Sequence, residues 1–365
     1  MPAWGMKRGR VSVVFLLVAA VLATAGVWVA RTSVRDGTAP RPYHDAQVEA
    51  ANLMMRCTAA IREYRLSLGI PIDRDLDPNE TGLIGGEFTE ITTTAGNLEA
   101  KRTATNPAFA ALMVKFFKEA GLEPGDVVAV GASGSFPSLI LATLSAARVL
   151  GLRPITIYSI GASTYGATLP NLTFVDMLAR LNEEGLIPYK LAAVSLGGDK
   201  DAGEGTLFGE GKRVMEEIAA RAGVPLIRED TVSGSVRRRL EVYRKLAAGE
   251  PIRCFVNIGG ATPNYGNTLT SLDFPNGLVV HPPVMSQAPD RGLIFEFAAA
   301  GVPVINLLDV RGLALKNGLP IDPVPLPPIG TGRVYETTGY SRVVALVALV
   351  ASCAAIWAGT AAWKP

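Results

Sequence analysis

The stretch Gly131-Ala132-Ser133-Gly134-Ser135-Phe136 sets two serines on either side of a glycine, at the end of an apolar run (Asp126 to Val130) and the start of an apolar helix. Such a junction can hold an anion, present a serine nucleophile, or only cap the helix. Glycine lets backbone approach a ligand closely, and serine both donates and accepts. Backbone N–H groups at the start of a helix from Phe136 favour a carboxylate or phosphate. Three later junctions share this composition: Gly161-Ala162-Ser163-Thr164-Tyr165-Gly166, Gly197-Gly198-Asp199-Lys200-Asp201 and Asn257-Ile258-Gly259-Gly260-Ala261-Thr262. If each follows a strand of one parallel sheet, all four loops leave the same edge and frame one pocket. The candidate ligand-binding residues are then Ser133, Gly134, Ser135, Ser163, Thr164, Gly197, Gly198, Asp199, Asn257, Gly259 and Gly260.

A catalytic serine needs a base. The chain has two histidines, His44 beside the N-terminal linker and His281 at the end of an apolar run. The order Ser133, then Asp199 or Asp273, then His281 is that of a hydrolase triad, with the N–H groups of Gly134 and Ser135 as oxyanion donors. The first loop departs from G-x-S-x-G, because Ser135 stands where the last glycine belongs. No loop carries a GK[ST] or GxGxxG pattern, so nucleotide binding has little support. Asp199, Asp201 and Glu204 alternate in a glycine-rich loop, but Lys200 and the absence of an EF-hand spacing favour a solvated loop over a cation site. The residues specify no cofactor and no metal.

These loops need a scaffold. Apolar runs at 126–130, 154–160, 190–196, 225–228, 253–258, 278–281 and 303–308 read as strands. Helical stretches between them end at Gly151, Gly185, Gly223, Gly249 and Gly301, a standard helix stop. The alternation predicts an α/β fold, a mainly parallel, doubly wound sheet flanked by helices, in a single domain over residues 44–342. Before it, Val48, Ala51, Met54 or Met55, Thr58, Ile61, Tyr64 and Leu68 mark a helix over 45–68, and Asn106-Pro107 opens another. Residues 70–106 are polar and loop-rich, and the sequence places no element in them.

At the two ends, residues 11–30 and 343–363 are uncharged over a bilayer's thickness of helix, each with a tryptophan near one end. They read as transmembrane helices, the first following a short basic segment (1–10) and preceding a linker (31–43). A cleaved signal peptide is the alternative for the first, although its apolar run exceeds the usual length. Lys7, Arg8 and Arg10 ahead of the first span favour termini inside and the domain outside the plasma membrane. All 33 acidic residues and 31 of the 35 basic ones lie between the spans, near neutrality, which is no footprint for nucleic acid. Arg237-Arg238-Arg239 with Arg244 and Lys245 reads as a solvated basic helix face. Cys57 and Cys254 can pair only if the fold brings them together.

The combination of GASGSFPSL, GLRPITIYSIGAS with TYGAT, TFVDML and SLGGDKDAGEG between two terminal apolar runs resembles the poly-gamma-glutamate system protein family. The resemblance spans most of residues 45–335. It implies a bacterial membrane protein that works beside the enzymes of poly-γ-glutamate synthesis in making, exporting or anchoring that polymer. It assigns no catalytic residues. Three activities follow as expectations: an accessory protein that binds a small carboxylate or the anionic polymer, a serine hydrolase or transferase on γ-glutamyl amides, or a sugar-phosphate-binding domain.

Overall fold

The computed structural model describes residues 13–32, 38–266, 268–338 and 342–361. The basic segment 1–10 lies outside them, as do positions 11, 12, 362 and 363 of the apolar runs. The chain opens with α1 (Val13–Thr32) and the short strand β1 (Thr38–Pro40). From Pro42 to Tyr335 it forms one compact unit. Helix α2 (His44–Ser67) sends Leu53, Met54, Cys57 and Ile61 into the core. Then come β2 (Thr92–Thr94), α3 (Leu98–Ala104) and α4 (Ala108–Glu119), whose first turn is capped by Asn106 Oδ1 accepting from Ala108 N–H at 3.0 Å.

Beyond α4 the alternation is regular. It runs β3 (Val127–Ser133), α5 (Pro137–Val149), β4 (Arg153–Ser159), the two-residue β5 (Ala162–Ser163), α6 (Phe174–Glu183), β6 (Leu191–Ser195), α7 (Gly211–Ala222) and β7 (Leu226–Ile227). It continues with α8 (Val232–Ala247), β8 (Ile252–Ile258), the single turn α9 (Thr262–Tyr265), β9 (Gly277–Val279), α10 (Leu293–Ala299), β10 (Val304–Leu307) and α11 (Val310–Asn317). Last are β11 (Glu336–Thr338) and α12 (Arg342–Ala361).

The main sheet has the order β7-β6-β4-β3-β8-β10-β9, parallel throughout except for β9, which runs antiparallel to β10. Its strands alternate sides, as a period of two requires. Val128, Val130 and Ala132 of β3 join one core with α2, α4 and α5, while Val127 and Ala129 join another with α8 and α10. On that second side Phe255 stacks on Phe297 at 4.6 Å, and Tyr243 donates its hydroxyl to the Val130 carbonyl at 2.9 Å. Helices thus cover both faces, which explains why the strands read as continuous apolar runs.

From β3 the chain steps outward through β4 and β6 to β7, then returns to lay β8 on the other side of β3. The connections after β3 and β8 therefore diverge, and a crevice opens at their carboxyl ends. Residues 70–106, which the sequence leaves unplaced, contain two elements that reach this crevice. Strand β2 pairs in parallel with β5, just past β4, and α3 follows it. Asn97 Oδ1 starts that helix by accepting from Ala100 N–H at 2.9 Å.

Among the described residues, 13–32, 38–41, 336–338 and 342–361 belong to a second compact unit. Within it β1 pairs antiparallel with β11, so the expected linker holds a strand. Helices α1 and α12 pack closely at Gly26, where a Cβ would lie 2.2 Å from that of Ala348. By length and composition Val343–Thr360 can cross a membrane; the apolar stretch of α1, Val13–Val29, is shorter.

The turn after β3 and the segment after β5 touch backbone to backbone: a Cβ on Gly166 would sit 2.7 Å from the Gly134 carbonyl oxygen and 2.9 Å from Ser135 Cα. Gly166→Ala is therefore expected to part the two loops and cost about 1–3 kcal/mol, read as a lower midpoint in denaturant unfolding.

Candidate functional site

The crevice is a cavity of about 520 Å³. Its walls come from the carboxyl ends of the strands and the segments that follow them: β3 (Ser133, Ser135, Phe136), β4 and β5 (Ser159, Gly161, Ser163), β6 (Gly197, Gly198, Asp199), β8 (Gly260, Ala261, Thr262) and β10 (Leu308 to Arg311). The remaining wall is the segment from Thr93 to Lys101. Of the residues expected to bind ligand, Ser133, Ser135, Ser163, Gly197, Gly198, Asp199 and Gly260 line this cavity.

Gly134, Thr164, Asn257 and Gly259 stand behind the wall. Gly134 N–H donates to the Ser159 carbonyl at 2.9 Å, and Ser135 N–H to Ser133 Oγ at 3.2 Å, so neither is left for an oxyanion. Thr164 Oγ1 accepts from Gly96 N–H at 2.7 Å, bracing the β2 segment against the second loop. Asn257 lies within β8 and donates its amide to Asn306 Oδ1 at 2.8 Å. Gly259 holds a φ of +75°, and a Cβ there would come 3.1 Å from Ser133 Cβ. Ser135 does not cap α5: its Oγ accepts from Ser163 N–H at 3.0 Å and from Ser133 Oγ at 3.0 Å, tying the first two loops together.

His281 is not brought to Ser133. Strand β9 runs against the others, with Val279 opposite Val304 at the amino end of β10, so His281 is exposed beyond the other edge of the sheet. Asp199 and Asp273 are exposed as well, and the triad order is not assembled in space. The cysteines do not meet: Cys57 and Cys254 are free and buried, and burial pushes the Cys57 thiol up to about 12.

The acidic loop after β6 also differs from a solvated one. Lys200 and Asp201 take left-handed conformations (φ 53° and 66°), which turn the Asp201 carboxylate inward. There it accepts from Arg239 Nη2 at 2.9 Å, Ser195 Oγ at 2.6 Å and Ser235 Oγ at 2.7 Å. Arg239, expected on a solvated helix face, is fully buried. Its guanidinium also donates to Ser159 Oγ at 3.0 Å, and Ser159 is part of the cavity lining. A paired charge thus underlies the cavity floor.

The polar group that sequence reasoning missed is Lys101. It is 3% exposed, yet it belongs to the cavity lining. Its Nζ donates to Ser163 Oγ at 2.7 Å and to the Ser135 carbonyl, and lies 4.0 Å from the centre of the Phe136 ring. Among the described residues no carboxylate pairs with it, and burial alone pushes the ammonium down to about 7. Asn97 followed by Leu-Glu-Ala-Lys signals a capped helix, but no sequence signal shows that its lysine is turned inward. At the rim Arg311 Nη1 pairs with Glu99 Oε1 at 2.5 Å, joining α11 to α3.

No family model, curated protein or solved structure matches this chain. The fold defines the class, an α/β domain with a cavity at the switch point of a mainly parallel sheet.

Two outcomes follow. Arg239→Met strands the Asp201 carboxylate in the interior and is expected to cost about 3–5 kcal/mol. Adding Asp201→Asn removes the stranded charge, so the double variant should lose less than the two single variants together, in a double-mutant cycle. Second, the unfolded chain keeps the usual lysine value of 10.5 while the folded one holds about 7. Between those values the unfolded state binds more protons, so this group makes stability rise with pH through that window. The melting temperature of wild type should accordingly rise relative to that of Lys101→Met from pH 7 towards pH 10.

Proposed function

We propose that this chain is a membrane-tethered accessory protein of poly-γ-glutamate production, and that its cavity binds a γ-glutamyl group through a carboxylate. The observation that carries this reading is the Lys101 amine, which lines a serine-rich cavity and has no carboxylate partner among the described residues. An arriving anion supplies the missing counter-charge and raises the amine's proton affinity. Ser133, Ser135 and Ser163 add hydroxyls suited to carboxylate oxygens. The resemblance in GASGSFPSL and SLGGDKDAGEG supplies the polymer, whose building block is a small dicarboxylate.

The tether in this reading has two spans. Val343–Thr360 is long and apolar enough to cross a membrane, and the shorter apolar stretch of α1 packs on α12 at Gly26. The basic residues Lys7, Arg8 and Arg10 are the ground for setting the domain on the outer face of the plasma membrane. The partners of such a protein are the synthesis and export proteins of the same membrane. A serine hydrolase built on Ser133 and His281 loses its support, because the two residues lie at opposite edges of the sheet.

The test is calorimetric titration of the full-length protein in detergent with γ-glutamyl tripeptide. Binding is expected at pH 6.5, weakened at least about tenfold in Lys101→Met and weakening in wild type as pH rises above about 7. Stabilisation by sugar phosphates with no response to γ-glutamyl peptides would move the site to the phosphate reading and overturn this one.

A further inference from the structure

The cavity holds more than an anion site requires. A lysine that only attracts anions is served by exposure, whereas Lys101 is buried with its Nζ 2.7 Å from Ser163 Oγ. Its three neighbours, the Ser135 carbonyl, the Phe136 ring face and Ser163 Oγ, match the needs of a neutral amine. One N–H goes to the carbonyl and one to the ring face. The lone pair remains for the Ser163 hydroxyl, so in the deprotonated form the same contact runs from Ser163 O–H to nitrogen. Ser163 is held in place through its own backbone, since β5 pairs with β2 and Ser163 N–H donates to Ser135 Oγ at 3.0 Å. Ser135 Oγ already accepts from Ser133 Oγ and Ser163 N–H, which leaves its own hydrogen to donate into the cavity it lines.

We propose that Ser163 is an acyl-accepting nucleophile with Lys101 as its general base, in an acyl-transfer site for amides or esters. The choice of γ-glutamyl acyl donors rests on the function proposed above; the nucleophile and base do not. Acyl transfer runs through the deprotonated fraction of the amine, which a carboxylate bound at Lys101 lowers. Lys101 Nζ takes the Ser163 hydroxyl proton as Oγ bonds to the acyl carbonyl carbon. The oxygen that gains negative charge accepts from Ser135 O–H. The bond from carbon to the leaving amine or alcohol breaks, and the Lys101 ammonium returns its proton to that group. Water or an amine then attacks the ester on Ser163 and yields its proton to Lys101. The bond from carbon to Ser163 Oγ breaks, and Oγ recovers a proton from Lys101. Aliphatic hydroxyls are weak nucleophiles without such a base, and this base sits near neutrality where proton transfer in both directions is effective.

The experiment treats the full-length protein in detergent with a fluorophosphonate and, separately, with p-nitrophenyl acetate, mapping adducts by peptide mass spectrometry. The expected result is an adduct on Ser163, forming at a rate that rises with pH around a midpoint of about 7. Ser163→Ala should abolish it, and both Lys101→Met and Lys101→Arg should slow it at least about 100-fold. Lys101→Arg keeps a charge but cannot act as a base at neutral pH, so it separates base from cation. Should either lysine variant fail to fold, the pH profile of the wild type and Ser163→Ala still decide. No adduct from either reagent on folded protein, or an adduct on Ser133 or Ser135 instead, would overturn the proposal. Binding of γ-glutamyl tripeptide without an adduct would sink the nucleophile and leave the binding function standing. An adduct on Ser163 without such binding would support the nucleophile and sink the γ-glutamyl reading.

Discussion

Holding the amine of Lys101 out of water is the constraint around which the rest of the site is arranged. Burying a lone ammonium is expensive, and among the described residues no carboxylate offsets it; the cost appears as proton affinity lowered to about 7. A domain tolerates such a group only where neighbouring elements over-determine its position. Strand β2 is pinned to β5, Thr164 braces Gly96, and Asn97 starts α3 at the point that carries Lys101 beside Ser163. The turn after β3 then supplies both the carbonyl of Ser135 and the ring of Phe136.

The other buried cation shows the contrast. Arg239 is as deeply placed as Lys101, but its charge is met by Asp201 and by hydroxyls of Ser159 and Ser195. Its role is structural: it fixes the acidic loop after β6 and the floor under the cavity. One cation is closed in its own hydrogen bonds and the other is open to the cavity. The first belongs to the scaffold beneath the cavity, the second to the cavity lining.

Much of the scaffold was legible because parallel strands buried on both faces read as apolar runs, and each of the seven runs corresponds to a strand of the main sheet. The convergence of the serine and glycine loops was legible for the same reason, since parallel strands send their carboxyl ends to one edge. What escaped depends on contacts distant in sequence. Lysine and arginine are normally exposed, so nothing local marks Lys101 or Arg239 as buried. Thr92–Thr94 is too short to show a period, and it exists as a strand only through β5, some 70 residues on. His281 looked like a partner for Ser133 by chain order, but order carries no information about the antiparallel turn of β9.

The most direct test of this account is the protonation of Lys101 itself, followed through its ¹³Cε and ¹⁵Nζ resonances in lysine-labelled protein and assigned by comparison with Lys101→Arg. A midpoint near 7 in the empty cavity, moving upward when γ-glutamyl tripeptide is added, is the result the account predicts. A midpoint near the ordinary 10.5, indifferent to ligand, would mean that the amine is solvated, and would contradict both the anion site and the base.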